Sequence, residues 1–181
     1  MRIDLSDPIP LSVDEAFLLL RDDMPSLVPY LDDCESITVT KRDASDDLET
    51  VSLVNRWVAD MSRVPPALQK FATKDLLSWD DHATWTASTK SCSWRLQSLR
   101  GTGLFECSGT TSVVAEGDGT RLTIAIDLVI YPENVPGVPR FIAKRIKPQA
   151  EKVISEKLVG NMRALSVSIR RYHEARSSAV T

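Results

Sequence analysis

A long amphipathic run constrains this chain more than any other feature. From about Arg140 to Ala175 the residues Phe141, Ile142, Ile146, Ala150, Val153, Ile154, Leu158, Met162, Leu165 and Ile169 recur at threes and fours, giving one broad apolar stripe on a helix. At 1.5 Å per residue that helix reaches roughly 40 Å or more, so it needs an apolar partner surface of similar length. Pro148 is expected to kink it or to divide a short lead-in from the main helix.

The partner surface is a sheet. Residues Arg2 to Leu5 alternate weakly and precede Asp7-Pro8, which predicts a short first strand and then a loop. Ser12-Val13-Asp14-Glu15 is a capping box opening a helix through Arg21, and Pro25 begins a second short helix to Leu31. The period then changes to two. Glu35 to Arg42 and Thr50 to Ala59 form a hairpin, the prolines of Val64-Pro65-Pro66 impose a short helical insert near 65–71, and the sheet resumes at about Asp75.

Glycines mark a tight turn at Glu116-Gly117-Asp118-Gly119. Pairing Gly117 with Thr120 sets Ile124 opposite Val113, Ile126 opposite Thr111, Leu128 opposite Gly109 and Asp127 opposite Thr110, which separates apolar from polar faces. The same rule across Arg100-Gly101 places Trp94 and Leu96 on the face of Phe105 and Cys107. A turn near Lys90-Ser91 adds Trp85, Ala83, Trp79 and Leu77, with His82 outside. Strands bounded by helices at both ends predict an α+β fold: a seven-stranded curved antiparallel sheet wrapped around the C-terminal helix, as one domain over residues 1–181.

Composition excludes several functions. A net charge of -3 spread along 181 residues makes no basic field for nucleic acid. The N-terminus lacks the pattern of a signal peptide, and the longest apolar run, Leu122 to Tyr131, is broken by Asp127, so no membrane span is expected. Cys34, Cys92 and Cys107 are odd in number and widely spaced, which favours small buried hydrophobes in a reducing cytoplasm over disulfides or zinc ligands. No metal or cofactor is implied by any motif.

The element order, together with Leu104-Phe105-Glu106-Cys107-Ser108-Gly109 running into the Gly117-Asp118-Gly119-Thr120-Arg121-Leu122 hairpin, resembles the helix-grip fold of the START-like (SRPBCC) superfamily, in particular coenzyme-Q-binding and polyketide-cyclase-like members. Val64-Pro65-Pro66-Ala67-Leu68-Gln69-Lys70-Phe71, with Asp75-Leu76 and Trp85 after it, is similar to an uncharacterised bacterial family of the same superfamily. The resemblance covers essentially the whole chain. It implies a hydrophobic small molecule, such as a lipid, sterol-like, isoprenoid or polyketide compound, held between sheet and terminal helix for binding or lipid transport.

The residues agree with that expectation. Wide rings at Trp57, Trp79, Trp85, Trp94 and Phe105 border smaller groups at Ala83, Cys107, Gly109 and Thr111, and large beside small leaves voids. Ile126 and Leu128 from the sheet, and Phe141, Ile146 and Ile154 from the helix, complete the candidate lining. Asn55 shares the inward parity of Trp57. Asp81 shares that of Trp79, but a strand-middle bulge turning it to solvent is the expectation for a carboxylate there. Arg140, Lys144, Arg145 and Lys147 stand where they oppose the helix dipole, and Arg145 is a candidate for contact with a ligand or anionic membrane headgroup beside the cavity mouth.

Catalysis has no positive support. His82 lies on the outer parity and His173 near the helix end, and no nucleophile elbow or phosphate-cradling loop is present. A polyketide cyclase or dehydratase and a protein-binding adaptor remain as alternatives to a carrier or sensor.

Overall fold

The computed structural model describes residues 1–63, 74, 75, 77–99, 103, 105–134 and 140–179, without the side chains at 63, 140, 142, 143, 146, 150, 153–155, 157, 158, 161 and 179. The expected insert near 65–71 lies outside these residues. The chain opens with β1 (Arg2–Ile9), α1 (Val13–Asp22) and a 3₁₀ helix at Met24–Tyr30. Then come β2 (Cys34–Ala44), β3 (Thr50–Ala59), β4 (Ser78–Thr86), β5 (Ser91–Ser98), β6 (Phe105–Glu116), β7 (Gly119–Ile130) and α2 (Arg140–Ala179). The strands form one antiparallel sheet in the order β1-β7-β6-β5-β4-β3-β2. This is the α+β architecture that the hydrophobic periodicity predicts, with the helix-grip arrangement that the resemblance implies.

Local chemistry accounts for the boundaries. Ser12 caps α1: its hydroxyl accepts from the Glu15 amide at 3.3 Å while the Glu15 carboxylate accepts from the Ser12 amide at 2.9 Å. β1 continues past Leu5 to Ile9 rather than ending at Asp7-Pro8. Pro8 lacks a ladder donor, but β1 is an edge strand, where an outward-facing missing N–H costs nothing. β4 starts at Ser78, three residues after the expected point. Pro148 does not divide α2, which runs through it as a single 40-residue helix.

The β6–β7 hairpin corrects the expected register by two residues. Glu116 pairs with Gly119, which sets Val113 opposite Leu122, Thr111 opposite Ile124, Gly109 opposite Ile126 and Ser108 opposite Asp127. The loop is Gly117-Asp118, with Gly117 at φ +57, a conformation that side chains disfavour. Gly119 belongs to the ladder because a Cβ there would lie 2.7 Å from the Ile9 carbonyl oxygen of β1. A shift of two leaves every side chain on its face.

The inner face is packed at one end and open at the other. Toward β6 and β7 it is covered by α1, while the 3₁₀ helix packs on β2 and α2, and Phe17, Leu20 and Leu27 join Val113, Leu122 and Ile126 in one buried cluster. The C-terminal part of α2 seals that end. Ile169 is fully buried, Ser166 donates to Asp7 at 3.1 Å and Tyr172 meets Tyr30 edge to face at 5.9 Å.

Candidate functional site

At the opposite end, β3, β4 and β5 face a cavity of about 500 Å³. The sheet supplies Asn55, Trp57, Trp79, Asp81, Ala83, Trp85, Cys92, Trp94, Leu96, Thr111 and Ile124. The facing wall is Leu20 of α1, Met24 and Leu31 to Cys34, and Gly160, Met162, Ala164 and Leu165 of α2. Asp32, Asp33 and Gly160 are the exposed members of the lining and mark its mouth.

Direct cross-strand pairs build the walls. Trp57 lies opposite Trp79, and their rings stack at 6.1 Å with 12° between planes. Trp94 lies opposite Gly109, where a Cβ would come within 2.5 Å of its ring, so the absence of a side chain lets the indole lie flat on the strand. From there the Trp94 Nε1 donates to the Thr111 hydroxyl at 3.0 Å. Trp85 is held edge-on by Phe17 at 5.5 Å.

The polar groups are less settled than the rings. Asn55 and Asp81 face each other across β3 and β4, and neither the β3–β4 nor the β4–β5 ladder contains a bulge. Asp81 therefore points inward, correcting the expectation of a solvent-facing carboxylate. The bulges lie instead in the β2–β3 ladder, where β2 is an edge strand, between Cys34 and Ser36 and between Val39 and Lys41. Burial pushes the Asp81 carboxyl up to about 7, against weaker opposite influences from Asn55 and Trp57. Asn55 Oδ1, Asp81 Oδ1 and Trp85 Nε1 are buried without a hydrogen-bond partner, and Trp57 Nε1 reaches the Asp81 carboxyl only in a weak hydrogen bond.

Six of the fourteen residues singled out from sequence line this space: Asn55, Trp57, Trp79, Trp85, Trp94 and Thr111. Phe105, Cys107, Ile126 and Leu128 share the inner face but lie in or against the packed part of the core. Phe141 is 75% exposed and Arg145 is exposed, so neither lines the cavity. The side chains of Ile146 and Ile154 lie outside the described residues. Sequence parity missed the wall from Met24 to Cys34, because short helical segments carry no period that aims them at a sheet.

The cysteines are free, and burial pushes Cys34 and Cys107 up to about 11 and Cys92 higher still. Such thiols stay protonated and act as small apolar groups. Among the described residues no helix is long and apolar enough to cross a membrane.

No protein-family model matches the sequence, and no curated protein matches it. Solved structures do. A protein from Thermus thermophilus aligns at a TM-score of 0.66 and 20% identity over 98% of this chain and 99% of that one. An aromatase/cyclase from a Streptomyces species aligns at 0.64 and 11% identity over 94% of each chain. A START superfamily protein from Mycobacterium smegmatis aligns at 0.54 and 14% identity over 94% of this chain and 97% of that one. At these identities the likeness shows a common fold, the START-like helix grip.

Proposed function

Taking the START-like fold as premise, we propose that residues 1–181 form one domain that binds an apolar small molecule in the cavity between sheet and terminal helix, as a carrier or sensor. The observation that supports this is the combination of about 500 Å³ of space, four tryptophans on its walls and buried polar atoms of Asn55, Asp81 and Trp85 without partners. Buried polar atoms normally have partners, and each left alone costs about 1–3 kcal/mol, so a cavity that retains them is arranged for an occupant. Mass spectrometry of an organic extract of the purified protein tests the proposal. A defined lipid, isoprenoid, sterol-like or polyketide molecule in near-stoichiometric amount is the expected result; a protein that extracts empty and binds no such compound defeats it.

Strand parity makes a second prediction. Trp85→Ala or Trp94→Ala weakens binding of the extracted molecule by about tenfold or more, since each removes a ring that buries a large apolar area. Arg95→Ala, on the exposed outer face, changes it by less than about twofold. Titration by tryptophan-independent calorimetry measures both, and equal effects would remove the assignment of the inner face to the site.

A cyclase or dehydratase acting on a polyketide is the alternative, and Asp81 favours it: a carboxyl near 7 beside a ligand can both give and take a proton at neutral pH. Such an enzyme returns its substrate cyclised at equal mass or, after dehydration, lighter by one water, whereas a carrier returns it unchanged. An unfilled interior weighs against a protein-binding adaptor. The exposed Phe141 beside the exposed Lys144 and Arg145 suits transient contact with an anionic membrane, from which a carrier would load.

A further inference from the structure

The outer face of the sheet, on the side away from the cavity, holds an open groove of about 800 Å³ that crosses the strands from β2 to β7. Cross-strand pairing sets its outward side chains in two rows. One runs Val54, His82, Arg95, Ser108 and Asp127; the next runs Ser52, Thr84, Ser93 and Thr110. Paired residues on neighbouring strands stand about 5 Å apart and alternate residues on one strand about 7 Å apart. The hydroxyls of Thr84, Ser93, Ser108 and Thr110 and the imidazole of His82 therefore surround Arg95.

Arg95 is the exception among the strand arginines. Arg2 holds Asp4, Arg42 holds Asp22, Arg56 grips Asp80 at 2.9 and 3.0 Å, and Arg121 holds Glu116. Arg95 has no carboxylate partner among the described residues, and directly opposite it on β4 stands His82, a second basic group without one. The nearby acids are engaged: Asp80, diagonal to Arg95, by Arg56, and Asp127, two strands away, by Arg2 at 3.7 Å. Lys41, beyond Val54 in line with His82, adds another cation without a carboxylate partner. Facing strand positions ordinarily match opposite charges, so this row is arranged for an anion from outside. A guanidinium fork takes two oxygens of one anion, and hydroxyl and imidazole N–H donors take the others. A phosphate ester has three terminal oxygens to fill them, a carboxylate two. Elsewhere the groove presents hydroxyls and, at its ends, the carboxylates of Asp43 and Asp127, with Val54 its one outward apolar side chain. Such a lining hydrogen-bonds a polyol, gives an apolar body nothing to bury against, and repels a second phosphate.

We propose that this outer groove is a second site, separate from the cavity and independent of its occupant, for a small polyol bearing one phosphate, such as a sugar phosphate: Arg95 seats the phosphate, and the serine and threonine rows meet the hydroxyls.

The test uses the full chain labelled with nitrogen-15, titrated at pH 7 with glucose 6-phosphate, glycerol 3-phosphate, inorganic phosphate and glucose while the backbone amide and arginine Nε–H signals are followed by NMR. Both polyol phosphates are expected to move the Arg95 Nε–H signal and the amides of residues 93–95 and 108–110 saturably. At least one of them binds about threefold or more tightly than inorganic phosphate, and glucose moves nothing at the same concentration. Arg95→Gln keeps the fold, as its amide spectrum will show, and weakens the tighter ligand by about tenfold or more. No saturable shift with either polyol phosphate overturns the proposal. So does equal affinity for inorganic phosphate, a set of shifts centred on the exposed Lys144 and Arg145 of α2, or affinity unchanged in Arg95→Gln. Because the groove and the cavity lie on opposite faces, each of these results leaves the cavity reading to its own test.

Discussion

Replacing Asp81 with asparagine raises the melting temperature at pH 8 by roughly 5 to 15 °C and leaves it within a few degrees of the parent at pH 4. The carboxyl stands at about 7 in the folded chain against an ordinary value of 3.8, chiefly through burial. Between those values the folded protein holds a proton that the unfolded chain has released. The contribution of Asp81 to stability is therefore highest below about pH 4, falls as pH climbs toward 7 and levels off above it. A gap of about three units corresponds to at most roughly 4 kcal/mol, at about 1.4 kcal/mol per unit. Asparagine makes the neutral form permanent and can donate to Asn55, so about 2 to 4 kcal/mol returns at pH 8 and little at pH 4.

The groups that act on Asp81 support this direction. Asn55 and Trp57 of β3 are uncharged, and the Cys92 and Cys107 thiols remain protonated. Asp32 and Asp33, at the mouth of the same cavity, carry the same sign as an ionised Asp81. Thermal melts of both proteins from pH 4 to 9 measure the effect. An equal shift at every pH would mean that burial does not hold the carboxyl up.

Periodicity made most of the fold legible because an inner face repeats every second residue whatever the exact pairing. Parity places Trp94, Ala83 and Leu96 on one face, and the ladders put them there. The β6–β7 register differs from the expected one for the same reason: a slip of two preserves both faces. What decides it is the approach of Gly119 to the Ile9 carbonyl, a contact 110 residues apart in sequence that no hairpin pattern contains.

Asp81 departs from the expectation for a different reason. Its parity pointed inward, but the cost of burying a carboxylate argued for a bulge. The protein meets that cost by holding the group near neutrality and setting it against a cavity rather than in packed core. Phe141 and Arg145 show the limit of a helix stripe. Threes and fours identify which face of α2 is apolar, but not which turns reach the sheet, and the first turn stands exposed.

Gly109→Ala is expected to cost about 3 kcal/mol, a fall of roughly 6 to 12 °C in melting temperature, although alanine suits a strand better than glycine does. The new Cβ would stand 2.2 Å from the Ala125 carbonyl oxygen and 2.5 Å from the Trp94 ring. The first contact is backbone of the neighbouring strand and yields only by bending β7. The second yields by turning the indole, which breaks its bond to Thr111 and drives the ring into the cavity. Stability and binding therefore fall together. In a Trp94→Leu background the ring no longer obstructs, so the cost of Gly109→Ala drops but does not vanish, because the Ala125 carbonyl remains. A double-mutant cycle measured by denaturant unfolding separates the two contributions. If Gly109→Ala changes stability by less than about 0.5 kcal/mol, or if its cost is the same with and without the indole, Trp94 does not lie on that strand and the cavity wall must be redrawn.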